Sequence, residues 1–168
     1  MGFIDDIKAK ARTNKKTIVL PETEDIRTYE AAEAVLKDGT ANIVLVGSEE
    51  EIAKKKGNFD ISGATIVDPA TSPKTEAYIA KLVELRQKKG MTEEQAKEIL
   101  LTNYLYYGVM MVKMKDADGM VSGASHSTAD TLRPCLQILK TKPGTKLVSS
   151  FFVMVVPDCD MGADGTFV

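Results

Sequence analysis

At 168 residues and 43% hydrophobic content, the chain is long enough to bury a core and too apolar for a disordered polymer. Its 22 basic and 24 acidic residues give a net charge of −2. They are spread along the sequence, which excludes the basic footprint that nucleic acid demands. No segment approaches bilayer-spanning length, and the opening MGFIDDIKAKART alternates charged with apolar residues where a signal peptide would run apolar without interruption. The expected location is therefore the cytoplasm.

The elements read in chain order as follows. Phe3, Ile4, Ile7 and Ala11 fall on one helical face, and KKTIVLPE reads as a short buried strand ending at Pro21. A helix is expected from Thr23 or Glu24 to Lys37, stopped by Gly39, and ANIVLVG then makes a nearly continuous apolar strand. This strand, helix, strand spacing implies a right-handed crossover and parallel pairing. Ser48 and Glu51 carry a capping-box pattern for a short helix, GATIVDP supplies a third strand, and Ser72 with Pro73 marks the start of a long helix through Lys89. After Gly90, Thr92 and Gln95 repeat the capping pattern, and Asn103 to Lys115 reads as a Tyr- and Met-rich helix whose Met110, Met111 and Met114 suit an adaptable core. ADGMVSG gives a further strand. Such alternation indicates an α/β fold with a largely parallel sheet and helices on both faces.

From Ser122 to Thr131 the chain is rich in small hydrogen-bonding residues, including Ser125, Ser127 and Thr128, and holds the sole histidine, His126. A strand-to-helix junction of this kind can hold an anion on free N–H groups, with the Arg133 guanidinium beside them. Equally, it can be a Ser-capped helix completed by Asp130. Because Pro134 is tolerated best in a first helical turn, the helix is expected to begin near Thr131 or Leu132, placing Arg133 at the anion-facing end. His126 reads as a hydrogen-bonding residue rather than an acid or base, having no carboxylate at a recognisable spacing. Glu22, Glu24, Asp25 and Arg27 lie where a strand passes into a helix, either facing a ligand or complementing the helix dipole. Arg86, Lys88 and Lys89 sit near a helix C-terminus, where the dipole favours cations in any protein. Cys135 and Cys159 lack metal-ligand spacing and read as buried free thiols, and no dinucleotide, Walker-type or His/Cys metal motif is present.

Beyond Lys140, Pro143 and Gly144 break the chain; KLVSSFFVMVVP reads as a long apolar strand, the polar turn DCDMGADG follows, and TFV begins a second arm. A switch to hairpin pairing suggests a domain boundary, with residues 1–143 as the first domain and 144–168 as the beginning of a second. Val168 falls within the second arm, so the sequence is expected to be a fragment.

The segments IVLPETEDIRTYEAA, ANIVLVG, DGMVSGASHSTADTLRPCLQILKTKPG and VSSFFVM, in this order, closely resemble the phosphate acetyltransferase family. The resemblance covers the whole chain. It implies a two-domain α/β/α architecture of the isocitrate dehydrogenase type, an open three-layer fold with the active site between domains, commonly in a homodimer. It further implies reversible acetyl transfer between acetyl-CoA and inorganic phosphate in acetate metabolism, giving acetyl phosphate and coenzyme A, with no cofactor besides coenzyme A as substrate. Phosphate butyryltransferase and a non-catalytic phosphate- or coenzyme A-binding fragment are the alternatives. Matched by position, Arg133 and Arg86 are the expected coenzyme A contacts, and Ser127, Thr128, Thr131 and Arg133 the phosphate contacts. The family's catalytic Ser-Arg pair and Asp fall beyond Val168, so no catalytic residue is assigned here and the isolated chain is expected to be inactive.

Overall fold

The structure, a computed structural model, describes residues 2–156, 159–163 and 165–167. Its centre is a parallel sheet of β1 (Lys16–Leu20), β2 (Ala41–Val46), β3 (Thr65–Val67) and β4 (Gly119–Met120), in the order β3-β2-β1-β4. Ile18 pairs in register with Ile43 on one side and Gly119 on the other. Alternation along β2 sends Ile43 and Leu45 to one face and Val44 and Val46 to the other, and each set nucleates a core. Tyr29 and Ala32 of α2 (Ile26–Asp38) and Ile52 of α3 (Glu49–Lys55) close the first. The second is built from α4 (Thr75–Arg86), α5 (Glu93–Thr102) and α6 (Tyr104–Lys113), with Tyr78, Leu82, Leu100, Tyr107 and Met110 fully buried. This is the three-layer α/β arrangement expected from the apolar strands.

Local chemistry explains the element boundaries. Asp25 caps α2 by accepting from the Arg27 N–H at 2.9 Å, so this helix begins two or three residues later than its sequence pattern suggests. Gly39 ends it with a φ of +67°, the left-handed conformation a glycine adopts freely. Thr92 and Gln95 form the expected reciprocal capping box of α5, and Ser48 accepts from the Glu51 N–H at the start of α3. Ser72 and Pro73 precede α4 rather than starting it, and a single 3₁₀ turn, Gln87–Lys89, carries the chain to Gly90. The helix α1 (Phe3–Thr13) buries none of its residues; its apolar Phe3, Ile4 and Ile7 are exposed, and it is tied to the end of α2 by Lys8 on Asp38 at 2.6 Å.

The helix after β4 departs from expectation. It begins at Thr128, not near Thr131 or Leu132: Ser127 is its N-cap, accepting from the Asp130 N–H at 3.2 Å and donating to the Asp130 carboxylate at 2.7 Å. That cap fixes the start of α7 (Thr128–Pro134) despite the proline at its seventh position. The missing N–H is absorbed by a π turn over Cys135–Leu139, closed by the Lys140 N–H on the Cys135 carbonyl at 3.0 Å. Arg133 consequently sits in the last turn of α7, not at its anion-facing end. The long strand expected from Lys146 to Pro157 shrinks to β5 (Met154–Val155), paired antiparallel with β6 (Thr166–Phe167), and the apolar 147–153 segment stays exposed in irregular backbone. The hairpin pairing was anticipated; the strand length was not. Pro157 and Val168, ends of the two expected arms, lie outside the described residues. Cys135 and Cys159 are free, but partly rather than fully buried.

The close approach of α6 to the sheet sets one prediction. A Cβ on Gly108 would lie 2.8 Å from the Met120 sulfur and 3.1 Å from a Val19 methyl. Replacing Gly108 with valine should destabilise the fold by about 2 kcal/mol through overpacking, lowering the urea midpoint at an unchanged m-value.

Candidate functional site

Two loops leave the carboxyl edge of the sheet side by side, residues 21–25 after β1 and 121–127 after the adjacent β4. The helices that follow depart to opposite faces, α2 to one core and α7 with its π turn towards α6 on the other. A divergence of this kind opens a crevice at the strand ends, where open α/β sheets bind their ligands. Here a cleft of about 320 Å³ is lined by Pro21, Glu24, residues 102–105 and His126.

The first loop is rigid before any ligand arrives. The Thr23 hydroxyl donates to the Val46 carbonyl at 2.7 Å, that of Thr28 to the Glu22 carbonyl at 2.7 Å, and that of Tyr29 to the Thr23 carbonyl at 2.6 Å. Burial pushes the Tyr29 hydroxyl up to about 12 and keeps it a donor. From this frame the Glu22 carboxylate, almost wholly buried, enters the second loop. It accepts from the backbone N–H groups of Gly123 at 2.7 Å, Ala124 at 2.8 Å, Ser125 at 3.0 Å and His126 at 3.0 Å. The His126 Nδ1 lies 2.9 Å from the same carboxylate. Gly123, at a φ of +110°, lets the backbone turn its N–H groups inward.

The anion cradle expected in this loop therefore exists, and the chain's own carboxylate fills it. Burial alone would raise the Glu22 carboxyl, but the N–H donors of Ala124, Ser125 and His126 together with the imidazole outweigh it and hold it down at about 2. Around this core, Ser125 Oγ donates to Glu24 at 2.6 Å, and Arg27 bridges the loops from Asp25, at 2.6 Å, to the Ala124 carbonyl. Glu22, Glu24 and Arg27 thus bind the protein to itself. The hydrogen-bonding reading of His126 agrees with this geometry, while the carboxylate that sequence spacing failed to supply arrives from a neighbouring strand end.

The other expected site residues are distributed along α7 and beside α6. Ser127 is engaged with Asp130, Thr128 is exposed at the first helical position, and the Thr131 hydroxyl is enclosed without a hydrogen-bond partner among the described residues. Arg133 lies 3.6 Å from Asp130, with more than half its side chain exposed. Arg86, at the end of α4, has a buried Nε that also lacks a partner. Burial raises the Tyr106 hydroxyl, and the positive charges of Arg133 and Arg86 both oppose that rise. The structure thus gathers Glu22, Glu24 and His126 at one place, while Arg86 and Arg133 lie apart from them and both act on the charge of Tyr106. The cluster of Glu22, Glu24 and His126 escaped the sequence reading; its signal was a lone histidine and two acids at the ends of strands that become neighbours.

The sequence model of the phosphate acetyl/butaryl transferase family matches residues 2–168. The chain belongs to this family. It is 56% identical over 168 residues to a phosphate acetyltransferase of Acetivibrio thermocellus, covering 100% of this chain and 50% of that protein. A phosphate acetyltransferase of Thermoanaerobacterium thermosaccharolyticum is 52% identical over 168 residues, covering 100% and 51% respectively. Among solved structures, a phosphotransacetylase from Staphylococcus aureus superposes with a TM-score of 0.83 at 41% identity, covering 92% of this chain and 47% of the other. A phosphotransacetylase from Streptococcus pyogenes gives 0.84 at 37% identity, covering 94% and 49%. The chain spans about half the length of the family relatives it matches.

The Glu22 network has a definite pH signature. Because its folded-state pKa lies below the ordinary carboxylate value, Glu22 contributes stability that is fully present above about pH 4.5 and is lost as pH falls towards about 2. Glu22→Gln should remove that part of the acid-side stability loss and cost about 2 kcal/mol near neutral pH, as an orphaned set of buried donors does. Urea titrations of both proteins across this range measure it.

Proposed function

We propose that the protein is a phosphate acetyltransferase, an acyltransferase that moves an acetyl group reversibly between coenzyme A and inorganic phosphate. The observation that carries this reading is 56% identity across all 168 residues to a phosphate acetyltransferase. A crevice at the carboxyl edge of the sheet, with the exposed Arg133 guanidinium on the helix that follows β4, is in keeping with an anionic substrate.

In this reading Arg133 and Arg86 hold the phosphate charges of coenzyme A, Arg133 exchanging its loose contact with Asp130 for a bidentate one. Ser127 and Thr128 serve the inorganic phosphate or acetyl phosphate. Thr131 offers an enclosed donor that nothing among the described residues satisfies. The reaction is assigned to the protein as a whole, with residues 144–168 as the opening of a second domain, a homodimer as the working form and the cytoplasm as its place. Among the described residues no helix is long and apolar enough to cross a membrane.

Calorimetric titration of the chain with coenzyme A tests the binding surface. Arg133→Ala should weaken binding by about tenfold or more, the loss expected for a charge-assisted hydrogen bond. Unchanged affinity would remove Arg133 from the site.

A further inference from the structure

Arg133 rides on a segment with a single polar tether. Among the described residues, the hydrogen bonds of 128–140 stay within the segment or its Ser127 cap, with one exception that reaches another element: the Tyr106 hydroxyl of α6 donates to Gln137 Oε1 at 2.9 Å. Pro134 and Ile138 are buried, but apolar contact has no direction and leaves the rotation of a short helix about its axis weakly set. The Tyr106 end of the tether is itself fixed, since Asn103 accepts from its N–H at 3.2 Å and the neighbouring Tyr107 is fully buried. The Gln137 end lies in the π turn that follows Pro134. Turns of this kind are rare and concentrate at functional sites. Gln137 comes four residues after Arg133, the spacing of neighbours on one helix face. In agreement, burial raises the Tyr106 hydroxyl and the charges of Arg133 and Arg86 oppose the rise. Little else aims Arg133: its contact with Asp130 is 3.6 Å long and its side chain is more than half exposed.

We propose that Tyr106 and Gln137 are positioning residues for coenzyme A: their hydrogen bond locks the π turn against α6 and so sets where Arg133, one turn earlier, presents its guanidinium to a phosphate of the ligand. This rests on the reading of Arg133 as a coenzyme A contact. Neither Tyr106 nor Gln137 touches the ligand; both act through the backbone that carries Arg133. A fork-shaped grip on phosphate depends on geometry as well as charge. A guanidinium carried on a loosened turn therefore binds less tightly although its charge is intact.

Calorimetric titration with coenzyme A of variants made singly and in combination tests the role. Tyr106→Phe and Gln137→Met should each weaken binding about fivefold, the share of one neutral hydrogen bond. The double variant should lose no more than either single one, because both changes remove the same bond. In an Arg133→Ala background neither change should lower affinity further, a result that a general loosening of the fold would not give. Each variant removes the bond by itself, so if one fails to fold the other decides. Unchanged affinity in the single variants, or a fivefold loss that persists without the Arg133 side chain, overturns the positioning role and leaves the proposed function standing. Absence of coenzyme A binding, or an Arg133→Ala chain that binds as well as the wild type, removes the Arg133 contact and the positioning role together.

Discussion

A buried carboxylate surrounded by backbone N–H groups organises the carboxyl edge of this sheet. Glu22 follows β1, and the N–H groups it captures follow β4, about a hundred residues away in sequence and one strand away in space. The two-residue strand β4 supplies little ladder of its own. Its position beside β1 is reinforced above by Glu22 and below by Asp118, whose carboxylate accepts from the Thr17 N–H at 2.8 Å. Without the Glu22 anchor, the loop that starts α7 would have several inward N–H groups and no acceptor, a costly arrangement for a partly buried turn.

The same anchor determines what the crevice is made of. The switch in helix direction between β1 and β4 opens a site at the strand ends, but its floor is already neutralised by the chain. Its lining consists of Pro21, Glu24, His126 and residues 102–105 at the junction of α5 and α6, where Asn103 caps the helix on the Leu105 and Tyr106 N–H groups. The capping at Asn103 also aims Tyr106 towards Gln137 in the π turn, 2.9 Å away, joining the rim to the helix that carries Arg133. Positioning of the two site clusters thus passes through α6, whose Gly108 lets it lie close against the sheet.

Most of the fold was legible because its causes are local. Apolar strands, Gly39 and Gly90 at helix ends, and the Thr92 with Gln95 box each act within a few residues, and each appears where the pattern places it. Legibility failed where one local rule competed with another. Pro134 argued for a late start to α7, yet the Ser127 cap and a π turn downstream outweighed it. It failed again where a hydrogen bond spans distant segments: nothing near His126 in sequence announces Glu22, because the pair exists only once β1 and β4 lie side by side. The apolar 147–153 run has the composition of a strand, but among the described residues only Met154 and Val155 find a partner on β6. Strand propensity without a neighbouring ladder does not make a strand.

The electrostatics of the loop lead to a final step. A helix N-terminus usually favours phosphate, but Asp130 stands in the first turn of α7, and Glu22 and Glu24 lie just before it. The favourable field of the loop N–H groups is therefore largely spent on the Glu22 carboxylate. Positive charge stands a turn and a half further on, at Arg133, which together with Arg86 acts on the partly buried Tyr106 hydroxyl. The loop and the two guanidinium groups thus differ in chemistry. The arginines supply positive charge, and the loop is held in shape by the N–H groups and imidazole that converge on Glu22.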